Sequence, residues 1–176
     1  MKVEDMKRIT TRRGDTGVSS NYSNESLPKD SLLFEVLGDL DELSSALGLA
    51  WHKAPCETVK TVQTVLQAIG SIVATNPETD PERYRSLRTV GEEYVRMLEE
   101  EGSKRLQAHP LQAKFYLPGS EATEAGAYYD VARAVARRAE RTVVRFIRDA
   151  GRNDVYPSLK YLNRLSDYLF VLARTV

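Results

Sequence analysis

From Asp30 to the C-terminus, apolar residues recur three and four positions apart, the period of helices that each bury one face. Leu33, Val36, Leu40, Leu43, Leu47 and Ala50 form one continuous stripe, which Asp30 or Ser31 can cap at its start and Pro55 stops. Val59, Val62, Leu66, Ile69 and Val73 repeat the spacing in a second helix, closed by Asn76-Pro77. Asp80-Pro81 reads as an N-cap followed by proline at the first helical position. The third helix that follows carries Tyr84, Leu87, Tyr94 and Leu98 and fades near Gly102. A loop from about Gly102 to Gly119 contains His109-Pro110 and Phe115-Tyr116-Leu117-Pro118-Gly119. Ser120 is placed to cap a long fourth helix running to Asp149, with Gly151 as its stop. Pro157-Ser158 opens a fifth, carrying Leu162, Leu165, Leu169 and Leu172. No internal repeat and no strand pair with hairpin turn chemistry is legible. Five amphipathic helices with short connections predict an all-α, five-helix antiparallel bundle.

Residues 1–29 differ in character: polar, rich in Ser, Thr and Asn, holding Gly14 and Gly17, and ending near Pro28. The chain therefore divides into an N-terminal segment, 1–29, and a bundle, 30–176, within one domain of 176 residues. With 41% hydrophobic residues, a core forms without disulfide or metal. Lys+Arg and Asp+Glu are both 25, a balance unlike that of a general nucleic-acid binder. One cysteine, Cys56, excludes an internal disulfide, and with only His52 and His109 a Cys/His zinc site is not expected. No apolar run is long enough for a membrane span, and MKVEDMKRITTRRGD lacks the apolar core of a secretory signal. These features predict a cytoplasmic protein without a membrane or nucleic-acid partner.

The fourth helix carries the strongest chemical signal. Projected on a helix, Val131, Val135, Ala139, Val143, Phe146 and Ile147 share one broad face. Arg133, Arg137 and Arg141 fall four apart opposite it, with Glu140 alongside. Such a row is either a solvated charged face or a set of guanidinium forks aimed at phosphates or carboxylates. Six arginines and no lysine between 133 and 148 favour the forks. Near the N-terminus, Thr10-Thr-Arg-Arg-Gly-Asp-Thr-Gly-Val-Ser-Ser20 joins hydroxyls, glycines and arginines, a composition that suits an anion. It lacks the P-loop spacing. Asp41 borders the apolar stripe of the first helix, within reach of an arginine or simply solvated. Asn163 and Asp167 share a face of the fifth, where an Asn serves a ligand or an adjacent backbone group.

Taken together, these segments resemble the ATP:cob(I)alamin adenosyltransferases of the propanediol-utilisation type, collinearly over nearly the whole chain. The matching pieces are Thr11-Arg-Arg-Gly-Asp15 with Gly17 and Ser19-Ser20, Pro28-Lys29-Asp30, Gly38-Asp-Leu-Asp-Glu-Leu-Ser-Ser45, Phe115-Tyr-Leu-Pro-Gly119, Ala132-Arg133 with Arg137-Arg-Ala-Glu-Arg141, and Tyr161-Leu-Asn-Arg-Leu-Ser-Asp167. The resemblance implies a homotrimeric five-helix bundle with ATP between neighbouring subunits. It implies transfer of the 5′-deoxyadenosyl group of ATP to the cobalt of reduced corrinoid, with release of triphosphate. By the same resemblance, Thr11, Arg12, Arg13, Gly14, Ser19 and Lys29 hold the triphosphate with its Mg²⁺. Arg137, Arg138, Glu140, Arg141 and Asn163 complete the nucleotide site. Arg133 pairs with Asp41 to keep the site in register, and Phe115 closes the lower face of the corrin. No protein ligand set for a metal is implied, since the phosphates carry the Mg²⁺. The implied partners are a flavin-dependent reductase and an adenosylcobalamin-dependent enzyme. Four positions depart from the family pattern: Thr16 for a basic residue, Asn24 and Ser120 for glycines, and Asp130 for a histidine. They motivate a second reading, a module that binds ATP or cobalamin for delivery or sensing with little catalysis.

Overall fold

The computed structural model describes residues 4–10, 12 and 14–176. Two short strands, β1 (Val18–Ser20) and β2 (Ser26–Pro28), precede α1 (Leu32–Lys53), α2 (Glu57–Ala74), α3 (Pro81–Ser86), α4 (Glu92–Ala108), α5 (Glu124–Ala150) and α6 (Tyr156–Thr175). The expected helical bundle is present: α1 packs on α2 and α5, α5 on α6, and α6 on α4. Its core is the predicted stripes, with Val36, Leu43, Leu47, Val59, Ile69, Val143, Leu165 and Leu169 fully excluded from solvent. Burying side chains of this size contributes about 1.5–3 kcal/mol each.

Three boundaries differ from expectation. The third helix is two helices, because Leu87–Gly91 adopts an extended path and tucks Val90 into the core. Asp80 does cap α3, its carboxylate accepting from the Arg83 amide. The second piece, α4, does not fade at Gly102. That glycine is buried mid-helix and faces the Tyr168 ring of α6 at ordinary van der Waals distance, so it is no stop. Helix α4 ends at Ala108, before Pro110, which cannot continue it. The long helix α5 starts after Thr123, whose hydroxyl accepts from the Gly126 amide at 2.9 Å; Ser120 instead belongs to a turn onto the Leu117 carbonyl. Gly151 closes α5 with φ +66°, as expected. Val131 is 57% exposed and leaves the predicted apolar face, which runs through Ala132, Val135, Ala136, Ala139 and Val143.

The two strands are a finding against the expectation of no strand pair. They run antiparallel, with Ser19 opposite Leu27. Their connection is fixed by side chains: the Asn21 Oδ1 accepts from the Ser23 and Glu25 backbone amides, and Asn24 adopts φ +60°. Asparagine is one of the few residues other than glycine that adopt that left-handed conformation. The hairpin is tied to the end of α2, since the Tyr22 amide donates to the Ala74 carbonyl at 2.8 Å. Glu25 receives Asn21, Asn76 and Thr79, bonds that, Asn21 first, hold its carboxyl below the usual range.

Candidate nucleotide and corrinoid site

Helix α5 presents its arginines in two chemically different groups. Arg138 reaches α1, donating to Asp39 at 3.1 Å and to Glu42, while Thr142 donates to the other Asp39 oxygen at 2.6 Å. Arg145 pairs with Glu35, Arg148 with Asp149, and Arg133 with Asp130. Arg137 and Arg141 are exposed, and among the described residues neither meets a carboxylate. Between them stands Glu140, whose carboxylate accepts from the Asn163 amide of α6 at 2.9 Å. Arg141 donates to the Arg137 backbone carbonyl at 3.1 Å, so the α5–α6 surface sets two guanidiniums without a carboxylate partner beside a carboxylate and an amide held in a fixed relation. That constellation suits a ligand with a highly charged anionic end and hydrogen-bonding groups.

The sequence-predicted residues sort accordingly. Arg137, Glu140, Arg141 and Asn163 come together. Arg138 does not join them, because Glu42 and Asp39 hold it on the α1 side; those contacts, Glu42 first, raise its pKa further. The expected Asp41–Arg133 pair is not formed within the chain. Asp41 is exposed in a groove of about 570 Å³ between α1 and α2, and Arg133 is taken by Asp130, which donor-to-acceptor distances of 2.8 and 3.0 Å make bidentate. Sequence reading missed Asp39, since Asp41 flanks the stripe just as well and only packing tells which carboxylate faces α5.

At the N-terminal side, Thr11 and Arg13 lie outside the described residues. Arg12 is exposed with φ +58°, and Gly17 has φ +80°. A Cβ on Gly14 would stand 2.6 Å from the Lys29 Nζ, so the ammonium lies directly over this glycine. The Lys29 amide donates to the Gly17 carbonyl at 2.8 Å, and Ser19 sits on β1. A cation over a glycine-containing turn is a combination that suits an anion. Among the described residues no hydrogen bond or ion pair joins Gly14, Ser19 or Lys29 to Arg137, Glu140, Arg141 or Asn163.

Phe115 stands on the connection from α4 to α5, 85% exposed beside Leu117, 66% exposed. Two large apolar side chains held in water on a polar chain mark a contact surface for something apolar. Tyr116 faces inward, edge-on to Phe170 with ring centroids 5.9 Å apart.

The profile of the cobalamin adenosyltransferase family matches residues 9–176. The chain belongs to this family. Among cobalamin adenosyltransferase relatives, the human corrinoid adenosyltransferase MMAB is 36% identical, the match spanning 98% of this chain and 70% of the human protein. A corrinoid adenosyltransferase from Citrobacter freundii is 31% identical, with 96% and 94% covered. Among solved structures, a variant of the PduO-type ATP:corrinoid adenosyltransferase from Lactobacillus reuteri, complexed with cobalamin and ATP, superposes with a TM-score of 0.85 at 29% identity over 95% of this chain and 92% of that one. Four of the six arginines of α5 are paired with carboxylates, and among the described residues Arg137 and Arg141 are the two that are not.

Proposed function

We infer that the protein transfers the 5′-deoxyadenosyl group of ATP to the cobalt of reduced corrinoid, releasing triphosphate. The observation that carries this reading is the pair of arginines without a carboxylate partner among the described residues, Arg137 and Arg141, set around the Glu140–Asn163 bond, Arg141 donating only to the Arg137 backbone carbonyl at 3.1 Å. Co(I) is itself the nucleophile: its electron pair forms the bond to C5′ as the C5′–O bond breaks, and that bonding pair leaves on triphosphate. No general base is needed. What the chain must supply is orientation of C5′ and stabilisation of the charge growing on the leaving group. Arg137 and Arg141 serve the second task, with Asn163 and Glu140 orienting the nucleoside. Lys29, Arg12, Ser19 and the Gly14 backbone, with Thr11 and Arg13, receive the phosphates. Mg²⁺ travels on those phosphates. Phe115 covers the lower corrin face and excludes an axial ligand, which eases formation of Co(I).

We assign the complete site to the junction of neighbouring copies in a homotrimer, as the family resemblance implies; among the described residues no hydrogen bond or ion pair joins the N-terminal turn to the α5–α6 face. The setting is cytoplasmic, with a reductase upstream and an adenosylcobalamin-dependent enzyme downstream. No described helix is long and apolar enough to cross a membrane. Anaerobic incubation with ATP, Mg²⁺ and chemically reduced cobalamin tests the reaction, following loss of Co(I) absorbance and release of triphosphate. Adenosylcobalamin with stoichiometric triphosphate is the expected result. An ATP-induced rise in melting temperature without product would instead make the chain a delivery or sensing module.

A further inference from the structure

Resting on that reading, we propose that Asp130 is a positioning residue for the corrinoid side of the reaction, fixing Arg174 beneath Tyr116 and so setting where the Phe115 loop stands. Phe115 has no packing of its own and takes its direction from its neighbours. Tyr116 is the loop's anchor. Its hydroxyl closes the loop onto the Gln112 backbone, and its ring packs on Phe170, with the Arg174 guanidinium 5.1 Å from the Tyr116 centroid and 3.9 Å from the Phe170 centroid. The return of the loop meets the same arginine: the Gly119 amide donates to one Glu121 oxygen at 2.7 Å, and the other lies 3.8 Å from Arg174.

Asp130 orients that arginine. Its Oδ1 accepts from Arg174 at 3.1 Å, while Arg133 holds the carboxylate bidentate from one turn further along α5. The side chains of Arg174 and Glu121 are 5% and 1% exposed, yet Arg174 Nε and Glu121 Oε1 have no hydrogen-bond partner. A buried ion cluster left partly unsatisfied is a poor device for stability, whereas a guanidinium fork accepts few orientations and is a good device for direction. The cluster also begins one helical turn from Arg137, so it ties the loop to the same helix that carries the nucleotide forks.

Asp130→Asn removes the charge and keeps the shape; Arg174→Lys keeps the charge and loses the fork. Either variant in the full-length protein is expected to lower kcat/KM for reduced corrinoid about tenfold while KM for ATP stays within about twofold. In a Phe115→Ala background, Asp130→Asn is expected to cost less than about a further twofold, because the effect passes through Phe115. Equal losses in both backgrounds, or a parallel rise in KM for ATP, would overturn the proposal. A second readout needs no turnover: tryptic cleavage after Lys114 in the free protein is expected to run about fivefold faster in both variants, since the loop opens locally more often. Unchanged cleavage overturns the latch. Faster cleavage in a chain that forms no adenosylcobalamin supports the latch and places the failure on the function.

Discussion

At Arg137 and Arg141 the guanidiniums face solvent without a carboxylate, while Arg133, Arg138, Arg145 and Arg148 on the same helix each have one. Truncating an engaged arginine strands a partner; truncating Arg137 removes only what the ligand would meet. Arg137→Ala and Asn163→Ala are therefore expected to lower turnover by about 10²–10³ with little change in thermal unfolding. Full activity in both variants in the Co(I) assay would remove these residues from the site. A separate outcome concerns Asp130, whose carboxyl is held below the usual range by Arg133 first and Arg174 with it, against burial. A depressed native pKa stabilises the fold above the unfolded value, about 4, and that contribution fades as pH falls through the lower native value. Denaturant melts should therefore show a constant advantage of wild type over Asp130→Asn from pH 7 to 5, shrinking below about pH 4. Family motifs made Arg137, Glu140, Arg141 and Asn163 legible in the sequence. They did not reveal that Arg138 is engaged, because Asp39 lies 99 positions away and only the α1–α5 packing brings it near.

Among the elements, the apolar period located every long helix, and errors gathered where a residue has two uses. Ser120 and Thr123 are both good caps. The chain uses Thr123 because Ser120 is drawn into the Leu117 turn and Thr123 can also donate to the Val176 carbonyl at 3.0 Å. Thr123→Ala should destabilise the protein by about 1 kcal/mol in chemical denaturation, whereas Ser120→Ala should stay within about 0.5 kcal/mol. The reverse order would return the start of α5 to Ser120. Gly102 misled for a similar reason: a glycine permits a stop and equally permits two helices to touch, and sequence spacing does not separate the two. The hairpin was invisible because its register rests on Asn21 and Asn76 side chains rather than on an alternating apolar pattern.

For the whole molecule, the proposed junction of Lys29 and Gly14 of one copy with Arg137 and Asn163 of another makes a distinctive expectation. Lys29→Ala and Arg137→Ala chains, each inactive, should regain activity when refolded together, because a mixed trimer joins an intact turn from one copy to an intact arginine face from another. Random assembly at equal amounts gives about one quarter of wild-type activity, since a site is whole only when each of its two halves comes from the right parent. No recovery, with mixed trimers present by light scattering or native mass spectrometry, would place both halves on one copy. The bundle's architecture was readable from the sequence because local period and core burial agree along nearly every helix. The homotrimer is an expectation of the family resemblance alone, since a surface facing a second copy carries no period of its own.

The anchoring of the hairpin to α2 has a kinetic consequence. With three residues per strand, β1 and β2 offer little protection to their own amides. The Tyr22 amide, however, ends on the Ala74 carbonyl at the close of a helix whose last residue is 3% exposed. In hydrogen–deuterium exchange Tyr22 should follow the slow clock of α2 while its strand neighbours follow a fast one. The hairpin is thereby pinned to the bundle at Tyr22, and its exchange pattern should break there rather than grade smoothly along the strands.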